Sequence, residues 1–215
     1  MPIKKGSFFL SAIIFFAVSG VCHASESAVV KEFSDALLKK DSVRMNAVIS
    51  KNKDRIPAEI KAILDDAFLP QTKAEEREAK FNLAERLARQ YKNLTGDEGP
   101  LMDEQKRVFE SYLAGAVTPA PVDGVHTVEI RHSEDGKKPF SPDNIIIKKG
   151  EPVRWVNSDT EVHLLSTVSG ISTDKMVSPN IEPGKSWEHR FYKPGVYYYL
   201  CCIHKVKMYG KITVE

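Results

Sequence analysis

The spacing of apolar residues changes character once along this chain, at the segment from Ala116 to Gly124, and that change limits the fold more than any other feature. The segment carries Pro119, Pro121 and Gly124 among small residues, the composition of a linker. Before it, from about Val29 to Leu113, apolar residues recur at three- and four-residue intervals with few glycines, which is the helical period. Beyond it the chain breaks into short β-branched or alternating runs between turn residues: His126 to Arg131, Asn144 to Ile147, Val153 to Val156, Ser186 to Phe191, Val196 to Leu200 and Lys211 to Val214. Short strands at that spacing suggest a small all-β sandwich. The chain is therefore read as an α + β multidomain protein, with a small helical bundle over 25–115, a linker over 116–124 and a β domain over 125–215.

Within the first part, the spacing predicts helices at 27–40, 42–50, 57–68, 73–94 and 101–114. Thr72 followed by Glu75 matches a capping box for the fourth. Leu83, Leu87, Tyr91 and Leu94 would form its apolar stripe, and Gly96 stands where a left-handed cap is expected. Pro57 suits a first helical turn and Pro70 a helix stop.

The first two dozen residues differ from both parts. Lys4 and Lys5 precede an apolar run from Phe8 to Val21, followed by Cys22, His23 and Ala24. This is the pattern of a secretory signal peptide at 1–24, with cleavage expected after Ala24 and export to the periplasm. The run is shorter than the ~20 residues that a membrane-spanning helix needs, so no transmembrane segment is expected in the mature form. Cleavage would leave Cys201 and Cys202 as the only cysteines. Neighbours in sequence close almost no loop and cannot staple a fold, so metal binding is the better reason for thiols in an oxidising compartment.

Around those cysteines lies the one constellation with chemistry. Cys201, His204 and Met208 put a thiolate, an imidazole and a thioether on one loop. A Cys with two His and a weak axial Met is the ligand set of blue-copper electron-transfer sites. The second imidazole must come from elsewhere, and His163 is placed for it, after Trp155, Val156, Asn157 and a polar turn at 158–160. Tyr197, Tyr199 and Cys201 alternate onto one strand face, which would point Cys201 inward. His126, His132 and His189 lack a partner motif and are read as surface or packed residues.

The segment from Phe140 to Asn157, with Pro142, Ile145, Ile147, Gly150, Val153 and Trp155, resembles the early strands of plastocyanin- and amicyanin-like cupredoxins. The closing segment is closer still: Pro194, Gly195, Tyr197, Tyr199, Cys201 and His204, then Met208, Gly210 and the run to Val214. The resemblance covers about 125–215 and implies a Greek-key cupredoxin sandwich. It makes His163 the N-terminal imidazole ligand, Cys201 the thiolate, His204 the C-terminal imidazole and Met208 the axial thioether of one copper ion cycling between Cu(I) and Cu(II). The family usually has Asn after the first His and Pro before the second, where this chain has Leu164 and Ile203, and Cys202 stands where Thr or Ser is common.

The implied function is a one-electron carrier whose exit point is the His204 edge, within an apolar patch to which Val206 and Tyr209 could add. Two alternatives stay open: a periplasmic copper carrier or chaperone, and a red-copper protein with an open coordination position in which Glu161 is a ligand. A two-copper centre is not expected, because adjacent cysteines cannot turn both sulfurs to one side. Lys205, Lys207 and Lys211 either solvate the surface or steer an acidic redox partner protein toward His204. No nucleophile with a base, paired carboxylates or phosphate loop is apparent, so no enzyme activity is expected. The net charge of +2 gives no reason to expect nucleic acid as a partner. The helical region has no motif for a cofactor of its own and is read as a partner-docking or dimerisation module.

Overall fold

A computed structural model of the chain describes residues 27–132, 139–204 and 208–215. The expected signal peptide, and Lys205, Val206 and Lys207, lie outside these residues. No helix among the described residues is long and apolar enough to cross a membrane.

Five helices come first: α1 (Ala28–Leu38), α2 (Ser42–Lys51), α3 (Ile56–Ala67), α4 (Ala74–Thr95) and α5 (Gly99–Tyr112). Ser27 and Asp41 cap α1 and α2 by accepting from the backbone N–H of Val30 and Arg44, which satisfies donors a helix start leaves open. Helix α4 packs against α2, α3 and α5, and ends at Gly96 with φ 76°, the left-handed stop the sequence predicts.

One expectation for α4 fails and another holds in part. The Thr72–Glu75 capping box does not form, because the Thr72 hydroxyl instead donates to the Asp66 carbonyl at 2.8 Å and, with Arg77 on the Ala67 carbonyl, closes the end of α3. The apolar stripe keeps Leu87 and Tyr91, with Leu83 packed against the core, but it runs through Phe81, Ala84 and Ala88 and leaves Leu94 exposed. The small Ala84 and Ala88 allow neighbouring helices to approach, which a stripe counted on leucines alone misses.

Eight strands follow: β1 (His126–Ile130), β2 (Phe140–Ser141), β3 (Asn144–Ile147), β4 (Pro152–Asn157), β5 (Leu165–Thr167), β6 (Ser186–Arg190), β7 (Gly195–Cys201) and β8 (Tyr209–Val214). They form two four-stranded sheets, ordered β2-β1-β4-β6 and β3-β8-β7-β5. Pairs β1–β4 and β3–β8 are parallel and the others antiparallel. Alternate residues of β1, β4 and β8 are buried, so Val128, Ile130, Val153, Trp155, Tyr199, Ile212 and Val214 meet in one core between the sheets. The fold is thus a helical bundle followed by a cupredoxin-type β-sandwich. Gly210 is required where it stands: it pairs with Tyr199, and a Cβ there would lie 2.1 Å from the Tyr199 ring.

Strand β7 breaks the alternation, with Tyr197, Tyr198 and Tyr199 all buried. Tyr198 points away from the core, and α5 covers it. Phe109 meets Tyr198 edge-on at 5.9 Å and stacks on Tyr209 at 4.1 Å. The segment after α5 is held to the sandwich too: Ala114 N–H donates to the Asp143 carboxylate, Asn144 donates to the Ala114 carbonyl, and Val117 bridges Ile145. Its first residues are therefore docked along β3.

Candidate metal centre

Cys201 ends β7 directly opposite Leu165 of β5. Two residues before Leu165, the backbone of His163 exchanges hydrogen bonds with Ile181 at 3.1 and 2.8 Å. The Cys202 N–H donates to the Leu164 carbonyl at 2.7 Å, and the Cys201 N–H to the Met208 carbonyl at 3.3 Å. Backbone pairing therefore fixes both halves of the site before any side chain is considered.

These constraints bring His163, Cys201 and His204 together, with one donor atom from each lying within 4.8 Å of the others. The two rings are 4.6 Å apart between centroids. His204 Nδ1 sits 3.4 Å from the Cys201 sulfur. Cys201 is buried and faces the histidines, while Cys202 is exposed. Met208 is buried in the same apolar cluster as Cys201.

His163 reveals most about what the site can hold. It is fully buried, and its Nε2 is 3.0 Å from the Asp159 carboxylate. Carboxylate oxygens only accept, so Nε2 carries a hydrogen, and in the neutral ring Nδ1 is then the nitrogen left with a lone pair for a metal. That Nδ1 is buried with no hydrogen-bond partner. A buried polar atom without a partner is costly, and a metal ion is one way to satisfy it. Two imidazoles and a thiolate suit copper, and the donors present fit that metal.

The electrostatics agree. Burial works against a Cys201 thiolate, but the His163 ring and the backbone at His204, Leu164 and Ile203 outweigh it and hold the thiol at about 6. For the exposed Cys202, partial desolvation of its sulfur and the neighbouring Cys201 push the thiol up. At neutral pH the inner cysteine is therefore the better metal ligand.

The remaining sequence candidates fall elsewhere. His126 is buried between the Pro119 carbonyl and the Glu151 carboxylate, and His189 stacks on Trp187. Lys211 pairs with Glu110 at 3.1 Å and lies over the Tyr198 ring, so it ties the sandwich to α5 and does not face a partner at His204. Tyr209 stacks on Phe109 and does not extend a free apolar patch. Glu161, considered as a ligand, lies 2.5 Å from His204 Nε2, on the edge of the ring opposite the nitrogen that faces the sulfur. What the sequence reading missed is Asp159. The signal was present, as an acidic residue four positions before a histidine in a polar turn.

The family model for copper-binding proteins of the plastocyanin/azurin family matches residues 127–215. Among curated proteins, amicyanin-alpha of Methylorubrum extorquens is 32% identical over 80 residues, 37% of this chain and 66% of that protein. The chain thus spans slightly less than two thirds of that relative's length. Plastocyanin of Scenedesmus fuscus is 31% identical over 91 residues, 39% of this chain and 93% of that protein. Among solved structures, a purple cupredoxin from Nitrosopumilus maritimus is 28% identical with a TM-score of 0.37, covering 42% of this chain and 99% of its own. The match to nearly the whole of a plastocyanin, together with the family model over the same strands, means that the chain belongs to the plastocyanin/azurin family of copper-binding proteins.

Proposed function

We propose that the chain is a periplasmic one-electron carrier with a type 1 (blue) copper site, in which His163, Cys201 and His204 are the strong ligands and Met208 the axial one. The observation that supports this most is the buried, unpartnered Nδ1 of His163 beside the Cys201 sulfur and His204 Nδ1. Bound there, copper supplies a Cu(I)/Cu(II) couple.

The chain's own residues do the rest. Pairing of β5 with β7, and of His163 with Ile181, holds the donors in one geometry, so little rearrangement opposes a change of oxidation state. The His204 side chain is 18% exposed, where that of His163 is 0%, which makes His204 the edge through which an electron leaves. A redox partner protein docks near it, and Lys205 and Lys207 beside it in sequence favour an acidic one. Residues 1–24 direct export, 25–115 form a helical domain, 116–124 join it to the cupredoxin domain at 125–215, and the helical domain serves partner docking.

Redox cycling tests the carrier role. Loaded with one copper ion, the protein should pass repeatedly between ascorbate-reduced and ferricyanide-oxidised states in the presence of a Cu(I) chelator without losing metal. Release of copper on reduction would make it a copper carrier instead.

A further inference from the structure

The loop after β4 places a carboxylate behind each of the two histidines. Asp159 Oδ2 accepts from His163 Nε2 at 3.0 Å, and Glu161 Oε2 from His204 Nε2 at 2.5 Å. Two residues of one short turn thus serve two imidazoles that come from distant parts of the chain. The turn is built for it. Asn157, fully buried at the end of β4, donates its Nδ2 to the carbonyls of Glu161 and Ile181 at 2.8 Å each, while its Oδ1 accepts from the Asp159 N–H at 2.9 Å. The loop is folded around that one side chain, which aims residues 159 and 161 to the same side. Asp159 also accepts from the Thr160 N–H at 2.6 Å and lies 3.1 Å from His132 Nδ1.

We propose that Asp159 and Glu161 are positioning residues for the copper centre, one behind each imidazole, and that together they favour Cu(II) over Cu(I) and lower the reduction potential. The proposal rests on the reading that His163 and His204 are copper ligands. An Nε2–H held by a carboxylate fixes the tautomer, so that Nδ1 is the free donor, and pushes electron density onto that donor. A more basic nitrogen and a nearby negative charge both stabilise the higher metal charge more than the lower. The two carboxylates are not equivalent. Asp159 is 5% exposed and acts in a dry setting, whereas Glu161 is 56% exposed and is partly screened by water. Glu161 additionally covers the outer edge of His204, so a docking partner meets a carboxylate there as well as a ring.

The test is the reduction potential of the copper-loaded full chain, measured by redox titration for wild type, Glu161→Gln, Glu161→Ala and Asp159→Asn. Glu161→Gln keeps an acceptor and removes the charge, while Glu161→Ala removes both. The Cu(II)-over-Cu(I) preference should fall by about tenfold in Glu161→Gln, a rise of about 59 mV for a one-electron couple. It should fall further in Glu161→Ala. Asp159→Asn, if it folds, should shift in the same direction and by more than Glu161→Gln. Glu161 is exposed, so its variants keep the test decisive even if the buried Asp159 tolerates no change. A thiolate-to-copper band in every variant with an unmoved or lowered potential in both Glu161 variants overturns this proposal alone. Wild type without that band overturns the blue-copper reading and this proposal with it.

Discussion

The Tyr198 hydroxyl donates to the Glu110 carboxylate at 2.6 Å, joining the outer face of β7 to α5. Lys211 reaches the same carboxylate, so one acidic residue of the helical part gathers two groups of the sandwich. Tyr198 is 4% exposed although it points away from the sandwich core, and the helix covering it is the reason. Tyr198→Phe keeps the ring and removes the hydrogen bond. It should lower stability by about 1 kcal/mol in urea unfolding, and an unchanged midpoint would mean that the seam draws nothing from this bond.

The apolar part of the seam is stronger. Phe109 is 6% exposed and touches both Tyr198 and Tyr209. Phe109→Ala should cost about 3 kcal/mol or more. Differential scanning calorimetry should then separate the unfolding of the helical part from that of the sandwich. A single transition at the wild-type temperature would contradict the packing described.

Glu104 gives the helical part a pH dependence. It is 4% exposed in α5, and burial, joined by the charge of Glu85 and opposed by Arg89, pushes its carboxyl from 4.5 up to about 8. A raised folded value means that the fold prefers the neutral acid, so this contribution is complete below about pH 4.5 and is lost as pH rises to about 8. Glu104→Gln should remove that slope and gain roughly 2–4 kcal/mol at pH 8 relative to wild type. Parallel stability curves for the two proteins between pH 5 and 8 would contradict it.

The two cysteines should separate cleanly. Cys201→Ser should abolish the thiolate-to-copper band, and Cys202→Ser, at an exposed position, should leave it in place. Met208→Leu should alter the potential and spectrum if the thioether is axial, and unchanged values would remove Met208 from the ligand set.

Much of this architecture is written in local patterns. Helix boundaries fell within a few residues because Gly96 and the period of α1 to α5 are local signals. The two shortest strands, Phe140–Ser141 and Leu165–Thr167, did not announce themselves, since two or three residues show no alternation and depend on β1 and β7 for their pairing. The burial of Tyr198 needed knowledge that α5 lies over β7, and Thr72 served α3 instead of α4 because both ends compete for one hydroxyl. At the site, the Cys201–His204 spacing put two donors on one loop, and family resemblance pointed to His163. The carboxylates behind the imidazoles were hidden because Asp159 reads as part of a polar turn and Glu161 as a possible copper ligand until Asn157 is seen folding the loop inward.

The most direct measurement is the visible and electron paramagnetic resonance spectrum of the purified protein with one equivalent of Cu(II). Coordination by the Cys201 thiolate with the His163 and His204 imidazoles should produce an intense visible thiolate-to-copper band with narrow copper hyperfine splitting, saturating at one ion per chain. A weak band with wide hyperfine splitting, or copper bound equally well by the Cys201→Ser variant, would contradict the site.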